Sequence, residues 1–302
     1  MKIIKIGYFA DGPWSHKAFK KIHSDPRFQI QFICLRFDSA DATLEALGRA
    51  NKIEIFKHPN VSSSGFLESI VNYSCDIFVS MSFNQILRRK FINTPPLKTI
   101  NCHAGKLPFY RGRNILNWVL INDEKEFGIT VHYIDEGIDT GDIILQKNFP
   151  IEDHDDYSTL LKLAHNECAN LLFESLEMLY ENNVKPLPQR DIHPVGFYCT
   201  QRREGDEIIN WNATSRDIFN FVRALCPPGP CAITYLKGNR VFVNKAKIIE
   251  NAPQYFGIHG AVVGKKNNND IIIKTKDSTI ELLDFEYDGI IKIGDRFEVS
   301  PV

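Results

Sequence analysis

The sequence has no C-x-x-C pair, no long apolar run and no surplus of one charge, and each absence closes off a class of protein. Lys plus Arg number 36 against 37 Asp plus Glu, a formal net charge of -1. No general attraction to polyanions follows, and nucleic acid is a poor default partner. No stretch approaches the roughly 18 apolar residues of a membrane span. The opening "MKIIKIGYFADG" is interrupted by Lys5 and then Asp11, unlike a secretory signal. A cytoplasmic location with no membrane partner is expected. The cysteines, Cys34, Cys75, Cys102, Cys168, Cys199, Cys226 and Cys231, are odd in number and scattered, which favours reduced thiols. Cys226 and Cys231 bracket "PPGP" without the His or Cys neighbours a zinc set needs. They are expected as structural thiols at a turn, and no metal is expected.

What is present is a regular alternation. At 302 residues and 43% hydrophobic content the chain can bury a sizeable core. Short apolar runs at Ile3–Phe9, Ile30–Arg36, Glu54–Phe56, Ile77–Met81 and Lys98–Asn101 read as strands. Amphipathic stretches at Trp14–His23, Leu44–Ala50 and Phe66–Asn72 read as helices between them, the pattern of parallel βαβ units in an α/β doubly wound sheet. "GITVHYID" and "DIILQKNFPI" offer two more strands, and Asp156–Tyr180 carries a helical stripe with Ser158 near its N-cap. The prolines of "KPLPQRDIHP", Lys185–Pro194, predict a linker. Beyond it, Ser215–Leu225 has helical spacing, and short runs at Ala232–Leu236, Arg240–Asn244, Gly260–Gly264, Ile271–Thr275 and Thr279–Asp284 predict a small antiparallel barrel, with turns at "KGN" and "KKNNND". The expected domains are residues 1–190 and 195–302.

In open α/β sheets ligands bind beyond the carboxyl ends of the strands. Asn101 and His103 fall there, and with a repeat of two they point the same way. An amide donor and an imidazole facing one pocket can stabilise an oxyanion and move a proton. Taken alone, Asn-x-His at a strand end reads as a turn more often than as a site. In "DEGIDTGDI", Asp139 could bring a carboxylate beside His103 to orient its ring, or Asp139 and Asp142 could simply cap turns.

Together the pieces carry a resemblance. "NCHAGKLPFYRGRNILNWVL" followed by "GITVHYIDEGIDTGDI" resembles the signature of folate-dependent formyltransferases: N-x-H, then L-P-x-x-R-G, then D-T-G-D. The resemblance implies a Rossmann-like catalytic domain followed by an OB-like barrel. It implies transfer of a formyl group from 10-formyltetrahydrofolate, as co-substrate, to a primary amine, with Asn101, His103 and Asp139 as the catalytic set. For the folate it points to backbone groups at Gln85, Ile86 and Leu87 and around Asp135, and to Arg113. Leu107 and Pro108 are expected to form a rigid cavity wall and Arg111 to anchor its loop.

The remainder of the chain bears on the amine. Enzymes that formylate glycinamide ribonucleotide resemble the first domain only. Methionyl-tRNA enzymes typically read "SLLP" and "RGAAPIQ", whereas this chain reads "GKLP" and "RGRNILNWVLIND". These stretches, and the tail Phe197–Leu225, are more similar to the domain that formylates UDP-4-amino-4-deoxyarabinose. A nucleotide-linked amino sugar, UDP- or dTDP-bound, is therefore the expected partner, and a homodimer is compatible with it. "FADGPWSH" resembles proteins tied to bacterial surface sugars, including a pseudaminic acid precursor, and makes Asp11, Trp14 and His16 candidate sugar contacts, with Tyr110 a fourth. Methionyl-tRNA formylation and a non-catalytic binding module are the alternatives.

Overall fold

The computed structural model describes residues 2–266 and 270–301. Two compact units emerge: one comprises the chain up to Arg113, Phe127–Phe149 and Lys162–Cys199, the other Asn114–Glu126, Pro150–Leu161 and the chain from Thr200 onward.

In chain order the strands are β1 Ile4–Ala10, β2 Phe28–Leu35, β3 Glu54–Lys57, β4 Ile77–Met81, β5 Thr99–His103, β6 Arg111–Gly112, β7 Glu126–Tyr133, β8 Ile143–Pro150 and β9 Tyr198–Cys199, with β10 Ala232–Leu236, β11 Asn239–Ile248, β12 Val262–Lys265, β13 Ile271–Lys274 and β14 Thr279–Glu286 following. The helices are α1 Gly12–Ser24, α2 Ala42–Ala50, α3 Ser64–Ile70, α4 Arg89–Ile92, α5 Ile115–Ile121, α6 Tyr157–Tyr180, α7 Gln189–Ile192 and α8 Ser215–Leu225.

The first unit is built on a seven-stranded sheet in the order β3-β2-β1-β4-β5-β7-β8. The strands from β3 to β5 run parallel and β7 runs antiparallel to β5. The winding reverses between β1 and β4, where a doubly wound sheet opens its ligand crevice. Each parallel crossover needs a helix with one apolar face: α1 carries Pro13 in its first turn and turns Ala18, Phe19 and Ile22 inward, while α2 is capped by Asp41. Phe9, Phe32, Phe66, Phe78 and Phe91 form a buried aromatic cluster around one face. Phe9 meets Phe32 edge-on at 5.6 Å and Phe91 at 4.9 Å, separations at which the positive ring edge faces the negative ring face.

Two expectations need correction in this unit. The strand predicted to stop at Asn101 continues through His103, because Cys102 and His103 still pair with Val131 and Thr130 of β7. The expected linker Lys185–Pro194 is built into the unit: Leu187 bridges Ile143, and α7 buries Gln189. Prolines end helices, but they leave a chain free to pair through its other residues.

In the second unit the helix expected near Ser158 is capped by Asp156, whose carboxylate accepts from Thr159 N at 2.9 Å. Here α8 carries a reciprocal Thr214/Asp217 capping box. The five remaining strands form an antiparallel sheet in the order β10-β11-β14-β13-β12. Its two edges are joined by the segment after Gly294: Glu298 pairs with Tyr235 of β10, and Arg296 with Ala261 beside β12. This strap closes the sheet into the expected barrel over Trp211, Val222, Val241, Leu282 and Phe297. Closure removes the unpaired edges that an open sheet exposes. Of the expected "KKNNND" turn, residues 267–269 lie outside the described residues. Cys226 and Cys231 are both free thiols, and burial raises the pKa of each.

Candidate active site

Asn101 and His103 alternate with Cys102 along β5, so they share one face while the Cys102 thiol turns to the Cys168 carbonyl of α6 on the other, 3.5 Å away. The antiparallel register sets His132 directly opposite Asn101 and Thr130 opposite His103. Cross-strand partners in such a pair lie on the same face. His132 Nδ1 donates to the Tyr133 carbonyl at 2.7 Å. In the neutral ring this leaves the Nε2 lone pair to accept from Asn101 Nδ2 at 3.3 Å. One amide hydrogen of Asn101 is thereby engaged and the other is left for a ligand oxygen.

His103 is buried and donates from Nε2 to the Tyr110 carbonyl at 2.7 Å. A carbonyl only accepts, so Nε2 carries the hydrogen and Nδ1 faces Asp139 Oδ2 at 3.7 Å. A proton on Nδ1 makes that pair attractive. The approach of Tyr110 depends on Gly105, where a Cβ would meet both the His103 ring and the Tyr110 carbonyl. The preceding turn is fixed from β7: Thr130 Oγ1 donates to the Gly105 carbonyl at 2.7 Å, and Gln146 Nε2 donates to the Leu107 carbonyl at 2.9 Å. Leu107 is itself buried, as its expected place in the wall requires.

Asp139 arrives by an unexpected route. Because β7 is antiparallel, Tyr133 pairs with Ile100 near the start of β5, so the loop 134–142 leaves from the edge away from His103. It folds back over the sheet face. Asp135 Oδ1 accepts from Gly137 N at 3.1 Å and from the Thr140 hydroxyl, which keeps the loop compact. Gly141 packs so tightly on the Tyr133 carbonyl that no Cβ fits there. Asp139, at φ 54°, lies 3.6 Å from His132 Nε2 and accepts from Gly112 N at 2.9 Å. Burial would raise its pKa, but the His103 and His132 rings, when each carries a proton on the nitrogen that faces it, and the Gly112 N–H outweigh that and hold the carboxyl well below its usual range.

The other expected residues lie on neighbouring loops. Gln85, Ile86 and Leu87 follow β4, the strand paired with β5. The Gln85 side chain is tied to His58 O and Val61 N at 2.7 and 2.9 Å, Leu87 is buried in the aromatic core, and Ile86 is 63% exposed. Arg113 follows β6, its backbone donating to the Cys199 carbonyl. Asp11, Trp14 and His16 cluster after β1, each with an internal contact: Asp11 with Arg36 at 3.2 Å, His16 with Asp41 at 2.6 Å, Trp14 edge-on to His165. Burial raises the Asp11 pKa despite the nearby Arg36. Tyr110 buries its ring against Phe197 and gives its carbonyl to His103.

Two residues escaped the sequence reading. His132 was visible as the one imidazole in an otherwise apolar alternating strand, seven residues before Asp139. Gln189, within the expected linker, gave no local sign. Its Oε1 accepts from Arg111 Nη2 at 2.6 Å, and its Nε2 donates to the Asp139 and Gly141 carbonyls, both at 2.8 Å. Arg111 is thus the loop anchor expected of it. Among the described residues no group of three or more His, Cys, Asp or Glu could hold a metal, and no helix is long and apolar enough to cross a membrane.

On a doubly wound sheet, an amide, two imidazoles and an ionised carboxylate converging on one face can stabilise an oxyanion and move a proton. Residues 33–176 match the formyl transferase family and residues 202–293 its C-terminal domain. The chain is 32% identical over 231 residues to the methionyl-tRNA formyltransferase of Thermodesulfovibrio yellowstonii, covering 76% of this chain and 71% of that protein. It is 31% identical over 237 residues to the bifunctional polymyxin resistance protein ArnA of Wigglesworthia glossinidia brevipalpis, covering 78% of this chain and 35% of that one. The N-formyltransferase of Helicobacter canadensis, solved with folinic acid and dTDP-3-aminofucose, superposes with a TM-score of 0.70 at 22% identity over 93% of this chain and 99% of that one. The chain belongs to the formyltransferase family.

Proposed function

We propose that this formyltransferase acts on the primary amine of a nucleotide-linked amino sugar, a UDP- or dTDP-4-amino-deoxysugar or a pseudaminic acid precursor, for surface glycan synthesis in the cytoplasm. The formyl donor is 10-formyltetrahydrofolate. The amine nitrogen attacks the formyl carbon, and negative charge grows on the formyl oxygen. The unengaged amide hydrogen of Asn101 and a protonated His103 stabilise that charge. The C–N10 bond then breaks as His103 gives its proton to N10, and the neutral ring so formed takes the amine proton as tetrahydrofolate departs. Asp139 holds the imidazole and stays ionised. Residues 1–190 carry this chemistry in the proposal and residues 195–302 form an accessory domain.

The observation that carries the chemistry is the placement of Asn101 and His103 on one face of β5 with Asp139 folded over them. For the amine, the near-zero net charge offers little to a tRNA backbone, and "RGRNILNW" resembles the sugar enzymes. Backbone groups at Gln85, Ile86 and Leu87, with Arg113 and Asp135, are assigned to the folate. Asp11, Trp14, His16 and Tyr110 are assigned to the sugar nucleotide, where contact would compete with the internal partners of the first three. The second reading, methionyl-tRNA formylation, is favoured by the identity to the Thermodesulfovibrio protein.

The test is incubation with 10-formyltetrahydrofolate and a panel of UDP-, dTDP- and GDP-linked amino sugars alongside methionyl-tRNA, followed by mass spectrometry. A gain of one formyl group on a sugar nucleotide supports the proposal; formylation of methionyl-tRNA alone refutes the acceptor. Folate or nucleotide binding with no product from any amine would instead support a non-catalytic binding module.

A further inference from the structure

We infer that Gln189 is a positioning residue: with Arg111 it clamps the backbone of the loop that carries Asp139 and so sets where the carboxylate stands. The inference rests on the catalytic reading of Asp139 given above. The Gln189 side chain is buried, 4% exposed, and each of its polar groups is used twice. Arg111 Nε and Nη2 donate to Oε1 at 3.1 and 2.6 Å, and Nε2 donates to the Asp139 and Gly141 carbonyls. These are the carbonyl of the functional residue itself and that of the residue two beyond it. Asp139 gains from such a clamp because its φ of 54° lies in the left-handed region, which non-glycine residues enter at a cost in free energy.

The clamp reaches Asp139 from a second direction through the same arginine. Arg111 begins β6, and the next residue, Gly112, donates its N–H to Asp139 Oδ2 at 2.9 Å. The guanidinium sits over the Tyr198 ring at 5.5 Å, and Arg111 N donates to the Phe197 carbonyl. One arginine therefore ties the Asp139 backbone, through Gln189, to the strand whose amide holds the Asp139 carboxylate. A carboxylate displaced by about an ångström from His103 would lose on the order of a hundredfold in rate.

The variants Gln189→Met, which keeps the volume and removes every hydrogen bond, and Gln189→Glu, which keeps the acceptor for Arg111 and loses both donors, separate positioning from packing. With folding confirmed by circular dichroism and thermal melting, both are expected to lower kcat by on the order of a hundredfold, with KM for the formyl donor changed far less. A second readout needs no turnover: the carbon-13 carboxyl titration of Asp139. The groups facing that carboxylate are His103 from β5, His132 from β7 and the Gly112 amide from β6. Loosening the loop withdraws it from all three, so its titration moves up toward the ordinary carboxylate range in both variants. Folded variants with wild-type kcat and an unmoved Asp139 titration would overturn the inference. If Asp139→Ala itself keeps full formyl transfer, the catalytic reading fails instead, and the two failures are distinct.

Discussion

At the scale of single residues the site is a set of short-range constraints, each open to test. Replacing Asn101 by Ala removes one donor to a developing oxyanion, and kcat is expected to fall roughly 10²–10³-fold while the circular dichroism spectrum is kept. His103→Ala should abolish turnover in the same assay; a fully active Asn101→Ala/His103→Ala double variant would sink the proposed mechanism. Gly105→Ala presses a methyl group on the His103 ring and on the Tyr110 carbonyl, and should cost activity out of proportion to its effect on melting temperature. Asp139 has a lowered pKa. It therefore stays ionised as the pH falls through the usual carboxylate range, and any acid limb of kcat/KM between about pH 5 and 7 belongs to another group. Asp139→Asn should then reduce kcat/KM by one factor across that range, and a shifted limb would contradict it. Asn101, His103 and Asp139 were legible because their spacing matches a family signature. His132 and Gln189 were not, since each acts through a partner that lies distant in sequence and close only across the sheet.

At the scale of elements the strands were legible and their consequences were not. Alternation located β4 and β5, but only the pairing with β7 shows that β5 runs on through His103 and makes Asn101 and His103 residues of a strand face. The same antiparallel pairing sends the Asp139 loop out at the far edge, so it must fold back, and the left-handed φ of Asp139 is part of that return. Proline content marked Lys185–Pro194 as a linker. Composition registers what such a stretch cannot do, form a long helix, and says nothing of what Leu187 and Gln189 bond to. Helix α6 is capped by Asp156, with its carboxylate accepting from Thr159 N and Thr159 Oγ1 accepting from Asp156 N at 3.0 Å. Asp156→Ala should cost about 1 kcal/mol in urea unfolding with m unchanged, and Ser158→Ala much less.

At the scale of the whole molecule, each unit closes with groups from separated segments. In the second unit Arg216 donates to Asp123 and pairs with Asp153 at 2.7 Å, joining residues far apart in sequence. Hydrogen bonding from Arg216 outweighs the opposing effect of burial and lowers the Asp123 pKa to about 2. A depressed carboxyl pKa gives stability that is complete above the unfolded value of about 3.9 and is lost as the pH falls from there toward 2. Asp123 is about a third exposed, so the pair is worth no more than about 1 kcal/mol after solvent screening. Asp123→Asn should remove that increment at pH 6 and have little effect near pH 2, as thermal melts at both values would show.

By itself the sequence determined the order of the longer strands and of α1, α2, α3, α6 and α8, the α/β and barrel division, and the three residues whose spacing carries the formyltransferase signature. All of these are written as local periodicity or fixed spacing, and periodicity follows from backbone geometry alone. Only the tertiary structure decided that the Asp139 loop folds back from the opposite edge, that His132 meets Asn101, that Gln189 and Arg111 hold the loop, and that the segment after Gly294 closes the barrel. Each of these joins groups tens of residues apart, through hydrogen bonds whose partners are chosen by strand register and direction. Neither is encoded in any single stretch of the chain.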